Sequence, residues 1–283
     1  MTRYLDRMIA GDAPTADEWN DHLVAFHRTY GGVTAKLMAF MRNAKGETSY
    51  DVLARRIRDL APHARAVIDI GCGDGAFLGM LDGAFGGKLE LHGIDLCDTE
   101  IARARRRLPE ATFVCADASR TDIGEHAYDV ASAHLSLMSF AETAALSRRL
   151  HRALHPSGLL AVVAEDPLAG DAIIGLMGSV VTRLRENAPN FAPRVPGRER
   201  IEHDDVLRAV LAGAGFTGVS IERFRVHAKL STEQLWSFVE RTYPLGLLDE
   251  HLRADLRKAV DAEVNAVARS DAALALRLVT ARA

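Results

Sequence analysis

The chain has 283 residues, 48% of them apolar, and a formal charge of −3 with a pI near 6.4. That apolar content suffices for a full core, and the near-neutral balance excludes the chain-wide basic field that holds nucleic acid. The three cysteines, Cys72, Cys97 and Cys115, lack paired metal-ligand spacing, and their odd number argues against a disulfide framework, so a reducing cytoplasm is expected.

In chain order, residues 16–42 carry Trp19, Leu23, Phe26, Tyr30, Val33, Leu37 and Phe40 at steps of three and four. This predicts an amphipathic helix broken near Gly31 and Gly32. Residues 43–47 read as a linker, and Ser49 is the expected cap of a helix over 50–60 with Leu53, Ile57 and Leu60 inward. Strands follow over 66–70, 89–94, 111–115, 128–133 and 158–165, alternating with helices over 75–83, 98–108 and 141–153. Short apolar strands separated by helices predict a doubly wound, Rossmann-like α/β sheet covered on both faces. Beyond Asp166 the pattern gives a helix over 169–187, a proline-containing loop, a helix over 203–213 and a strand over 217–227. Residues 231–269 read as helical with interruptions at Pro244 and Gly246, and 273–281 alternate as a half-buried strand. Arginine clusters at 55–58 and 103–107 read as solvated helix faces. The N-terminus lacks an apolar targeting core, and the most apolar stretches, 158–164 and 172–181, are too short to cross a bilayer.

These elements divide the chain into an N-terminal helical lid (1–46), a core (47–168), a helical cap insertion (169–202), a return to the core (203–230), a second cap insertion (231–270) and a last core strand (271–283). The helical parts follow the carboxyl edge of the sheet, where they would enclose a small ligand or join two copies in a homodimer.

The chemistry concentrates at residues 66–75, Ala-Val-Ile-Asp-Ile-Gly-Cys-Gly-Asp-Gly. Gly71, Gly73 and Gly75 let the backbone turn sharply and approach a ligand. Asp95 ends the next strand about 20 residues beyond Gly75, where a doubly wound sheet places the acid that holds a ribose diol. The glycine pattern alone also fits a dinucleotide site. A pyrophosphate there would be repelled by Asp69 and Asp74, which suit a cationic ligand, a sulfonium carrying an ammonium group.

Val67–Gly75 resembles the first motif of class I S-adenosylmethionine (SAM)-dependent methyltransferases. Gly93-Ile-Asp-Leu96 resembles their second, Cys115-Ala-Asp-Ala118 their third, Tyr128-Asp-Val130 the start of their fourth strand, and Leu154–Leu160 the turn into their fifth. The resemblance covers residues 64–165. It implies a seven-stranded, mostly parallel sheet whose last strand, here 273–281, pairs antiparallel with 217–227, and SAM as cofactor with S-adenosylhomocysteine as product. Gly71, Cys72, Gly73 and Gly75 would then face the methionine part, and Asp69 its ammonium. Asp95, beside Leu96, would accept the ribose hydroxyls, and Asp117, beside Ala118, the adenine amino group. Ala133 and Tyr50 complete the expected cofactor contacts, the Tyr50 hydroxyl reaching for the cofactor carboxylate.

His134, ending the fourth strand, is the candidate general base, with a hydrogen-bonded packing role as the alternative. Expected acceptor contacts are His22, Tyr30, His134, Met138, Glu165, His227 and Trp236, with His27 as a further lid candidate; Glu165 and Asp166, ending the fifth strand, are secondary candidates for the base, with capping of the following helix as the alternative. The acceptor expected is a small, specialised or aromatic metabolite methylated on oxygen, nitrogen or carbon, without a metal, because the acid cluster of metal-dependent catechol methylation is missing. No nucleic-acid or membrane partner is expected. The alternatives are a non-catalytic SAM-binding or partner-binding protein on the same fold, and an RNA methyltransferase, which would need a basic face. A nicotinamide-dependent short-chain reductase would need a lysine four residues after a tyrosine, and none of the tyrosines has one.

Overall fold

The computed structural model describes residues 2–166, 168–197, 199–243, 245–270 and 272–283; Pro244 and its expected interruption lie outside them. Helix α1 (Arg3–Ala10) buries Tyr4, Leu5 and Met8, an apolar face that the sequence reading left unassigned. Helix α2 (Ala16–Thr29) opens on a capping box in which Thr15 Oγ1 accepts from Glu18 N at 3.2 Å and Glu18 Oε2 accepts from Thr15 N at 2.9 Å. The expected break follows, with Gly32 left-handed ahead of α3 (Val33–Met38).

Helix α4 (Ser49–Leu60) is capped by Thr48, not by Ser49. Thr48 Oγ1 accepts from Asp51 N at 3.1 Å, and Asp51 Oδ2 accepts from Thr48 N at 2.8 Å. The shift of one residue turns Ser49 into the core, where it is 1% exposed.

The core then runs β1 (Ala66–Ile70), α5 (Ala76–Ala84), β2 (Glu90–Asp95), α6 (Asp98–Arg107), β3 (Thr112–Cys115), β4 (Tyr128–His134), a 3₁₀ turn (Leu137–Ser139), α7 (Thr143–Ala153) and β5 (Leu154–Glu165). Helices α8 (Ala172–Asn187), α9 (Glu199–Glu202) and α10 (Asp204–Gly213) lead to β6 (Thr217–Ala228). Helices α11 (Thr232–Glu240), α12 (Glu250–Ala259) and α13 (Asp261–Ala268) lead to β7 (Ala272–Arg282). The seven strands lie in the order β3-β2-β1-β4-β5-β7-β6. β1 to β5 pair in parallel, and β7 enters antiparallel between β5 and β6. Chain order reverses between β1 and β4, which opens a crevice at the carboxyl ends of those strands.

Each sheet face has its own apolar layer. Val67, Leu53, Ile57 and Leu78 belong to one, and Ile68, Ile70, Leu146 and Leu211 to the other. A third cluster lies away from the sheet: Tyr4, Leu5, Met8 and Trp19 pack with Leu176, Leu235, Trp236, Leu256 and Val264. The lid is therefore a helical layer with a core of its own, built from α1 and α2, the middle helix α8, and α11 to α13.

Replacing Thr48 by alanine removes the cap that sets α4 and its entry into the crevice. Thr48→Ala should lower the unfolding free energy by about 1 kcal/mol, seen as an earlier urea midpoint at unchanged slope. An unchanged midpoint would mean that the cap contributes nothing.

Candidate active site

A cavity opens at the carboxyl ends of β1, β2 and β4 beneath α2. Its empty space, mouth included, is about 920 Å³, in the usual range for a ligand pocket of about 300–1,000 Å³. The floor is the loop after β1. Gly71 N and Cys72 N both donate to Ile94 O, at 2.8 and 3.1 Å, which ties the loop to β2. Gly71 has φ +68°, and a Cβ there would meet the Ser136 Cβ at 2.5 Å, so only glycine fits. Gly73 also has positive φ but faces open space, and its N–H donates to Asp95 Oδ2 at 2.9 Å. Gly75 does not line the cavity; it has φ +75°, and a Cβ there would stand 3.3 Å from the Ala104 Cβ on α6.

Asp95 ends β2 with both oxygens engaged by backbone, Oδ2 by Gly73 and Oδ1 by Cys97 N at 2.8 Å. Burial raises its carboxyl, against the pull of the Cys97 N–H, His27 and the Gly73 N–H. Asp117 Oδ1 accepts from Ser119 N and Oγ, at 2.9 and 2.7 Å, and Oδ2 accepts from Asn20 Nδ2 at 3.0 Å. Leu96, Ala118 and Cys72 stand beside these acids in the lining. Asp74 also lines it, with its carboxylate held by Arg107 at 2.5 Å. Asp69 lies behind the loop rather than in the lining, 2% exposed, accepting from Ser132 Oγ at 2.6 Å. Ala133 is likewise buried within β4.

His134 reaches the cavity beside Tyr50, ring centroids 4.2 Å apart and edge-on. Its Nε2 is 2.9 Å from Ser49 Oγ, and its buried Nδ1 has no partner among the described residues. Burial pushes the imidazole down to about 3. It stands in the cavity lining at the end of β4, and such an imidazole is neutral at pH 7. Burial raises the Tyr50 phenol well above its ordinary value, with the nearby Asp69 and Asp74 charges adding to the effect.

Other expected acceptor contacts lie elsewhere. His22 is a buried packing residue of the lid, joined to Thr2 Oγ1 at 2.8 Å and Tyr243 O at 2.7 Å, with its imidazole pushed by burial to about 4. The Tyr30 hydroxyl donates to Gly246 O at 2.9 Å. Trp236 sits in the lid core with Arg257 over its ring. His227 bridges Arg42 through backbone, and Met138 packs against the core layer of the second sheet face. Glu165 ends β5 outside the lining, and Asp166 accepts from Arg223 at 2.7 Å.

Of the lid candidates His27 does line the cavity, and with it the lid contributes Asn20, Leu23, Val24 and Tyr243, and the core contributes Glu100, Ser136, Ser139 and Phe140. Helix α2 is clasped to the core near both ends: Asp17 to Arg120 at 2.7 Å, Asn20 to Asp117 at 3.0 Å, and Arg28 to Asp98 at 3.0 Å. Glu100 carried a legible signal, since it shares a helical face with buried Ala104 four residues on.

Residues 67–158 match the methyltransferase-domain family. The chain is 33% identical over 231 residues to a trans-aconitate 2-methyltransferase from Methylobacterium nodulans, covering 80% of this chain and 82% of that one. It is 41% identical over 105 residues to the enzyme of that name from Delftia acidovorans, covering 36% of this chain and 39% of the relative. Against the Delftia and Acidovorax relatives the match thus spans about two fifths of their length. In fold it resembles phosphoethanolamine N-methyltransferase 2 from Haemonchus contortus, with TM-score 0.57 and 17% identity, covering 93% of this chain and 59% of that one. With its seven-stranded sheet, glycine loop and helical lid, the chain belongs to the class I SAM-dependent methyltransferases.

Burial holds Asp69 at about 7, against an ordinary 3.8. The folded chain therefore keeps this proton more tightly than the unfolded one. That stabilisation is complete below about pH 4 and lost as pH rises through 7. Between pH 5 and 8 the parent chain should lose on the order of 2–3 kcal/mol relative to Asp69→Asn in urea unfolding. Parallel stability curves would mean that Asp69 is ionised throughout.

Proposed function

We propose that the chain catalyses metal-independent methyl transfer from SAM to an oxygen, nitrogen or carbon of a small, neutral aromatic acceptor. The observation that carries the reading is the glycine loop fastened to Asp95 at the floor of a lid-covered, acid-lined cavity. The residues present fit the cofactor: Gly73 lines the cavity with open space where a side chain would stand, and Asp95 and Asp117 are acceptors for the ribose and adenine donors. When bound, the cofactor supplies a methyl group already activated on a sulfonium.

The protein's part is then alignment and exclusion of water, worth about 7–11 kcal/mol where geometry is held well. Leu23, Tyr50, Leu135, Phe140 and Tyr243 offer an apolar, aromatic wall for the acceptor, and His134 and Ser139 supply polar contacts. His134 orients the acceptor through hydrogen bonding and does not take its proton, so the acceptor atom must be nucleophilic without a strong base. Among the described lining residues there is no arginine or lysine. A polycarboxylate would have no cation to hold it, which separates this pocket's preference from the acceptor named for the trans-aconitate relatives.

Calorimetry with S-adenosylhomocysteine should give binding that weakens about tenfold or more in Asp95→Ala; absence of binding by the parent chain would overturn the cofactor reading. Labelled SAM offered with neutral aromatic amines and phenols, and with trans-aconitate, should label the aromatic class. Transfer to trans-aconitate alone would overturn the acceptor reading, and cofactor binding with no transfer to any acceptor would favour a non-catalytic role. Once an acceptor is found, His134→Asn should lower kcat/KM without changing the shape of the pH profile between pH 6 and 8. Loss of an inflection in that range would identify His134 as a base.

A further inference from the structure

Glu100 stands at the third position of α6, the helix that follows Asp95, and is 1% exposed while lining the cavity. Its two oxygens have different fates. Oε1 accepts from Gly32 N at 2.6 Å and faces Arg103 Nη1 at 3.3 Å and His27 Nδ1 at 3.8 Å. Oε2 is buried with no hydrogen-bond partner among the described residues. Burial pulls the carboxyl upward, but His27, the Gly32 N–H and Arg103 outweigh it and hold it below the ordinary range. A buried, ionised oxygen without a donor is costly unless a ligand supplies one.

The nearest acceptor expected to serve the cofactor is already partly used. Asp95 holds the N–H of Gly73 on one oxygen and that of Cys97 on the other, which leaves one acceptor site on each for a further donor. Glu100 adds a second carboxylate among the residues that line the same cavity, on the helix that follows Asp95. On the methyltransferase reading above, we infer that Glu100 Oε2 accepts a hydrogen bond from a ribose hydroxyl of the cofactor, sharing the diol with Asp95. The same side chain holds Gly32, at the joint between α2 and α3, so one carboxylate serves both the nucleoside and the docking of the lid.

The test is a cycle between side chain and ligand, using calorimetry on the full chain. The ligands are S-adenosylhomocysteine, 5′-methylthioadenosine, and the 2′-deoxy and 3′-deoxy forms of the latter; the proteins are the parent chain and Glu100→Gln. The variant should bind the first two ligands several-fold to tenfold more weakly. For one of the two deoxy ligands, the penalty of the missing hydroxyl should largely vanish in the variant. Equal penalties in both proteins for both deoxy ligands would overturn the inference and leave Glu100 as a lid clasp. A loss seen with S-adenosylhomocysteine but absent with 5′-methylthioadenosine would also overturn it, assigning the oxygen to the cofactor's ammonium. Failure of the parent chain to bind S-adenosylhomocysteine would instead overturn the methyltransferase reading on which the inference rests.

Discussion

The site depends on one carboxylate. Asp95 joins Gly73, in the loop after β1, to Cys97, at the start of α6, with both bonds shorter than 3 Å. Without it the loop would be fixed to β2 by Gly71 and Cys72 on Ile94 O, and its far end would be held by Arg107 on Asp74, from the partly exposed end of α6. The sheet order supplies the crevice, but this pair of charge-assisted bonds sets the shape of its floor.

Above that floor the lid is stabilised by two different kinds of interaction. Its interior is apolar and self-sufficient, with Trp19, Tyr4 and Leu235 buried against one another. Its attachment to the sheet domain along α2 is polar and partly exposed: Asp17, Asn20 and Arg28 each reach a core partner. Exposed ion pairs contribute little singly, whereas a buried apolar cluster contributes a great deal. The layer can therefore stay folded while its seam with the core loosens, as an enclosed site with a ligand of nucleoside size requires.

The parallel strands were legible because each is a short apolar run ending near glycine or aspartate, as in Val67–Gly71 and Gly93–Asp95, and the residues those motifs mark, Gly71, Gly73, Asp95, Leu96, Asp117 and Ala118, come to one cavity. The acceptor side was not legible. Trp236 and His22 sit on helical faces whose spacing is the same whether the face packs into a lid core or lines a pocket, and only the docking of distant segments decides it. Thr48 and Ser49 are equally good caps by type. Asp51 falls three residues after Thr48, which completes a reciprocal pair that Ser49 lacks. Tyr243 enters the cavity from more than 200 residues beyond its partner Trp19, a pairing that no local pattern encodes.

The position of β7 bears on how the molecule assembles. Seven residues of β5, Leu159–Glu165, pair with Leu276–Arg282, and β6 meets the rest of the sheet only through β7. Of the seven strands, the last to leave the ribosome is thus an interior one. Until it emerges, β5 has an open edge and β6 has no strand partner, so the β6 side of the sheet must wait for β7. Contacts over such sequence separations slow folding, and an open apolar strand edge invites pairing with other chains. During synthesis the exposed flank of β5 is where this chain is most vulnerable to misassembly, and where a chaperone would have most to protect.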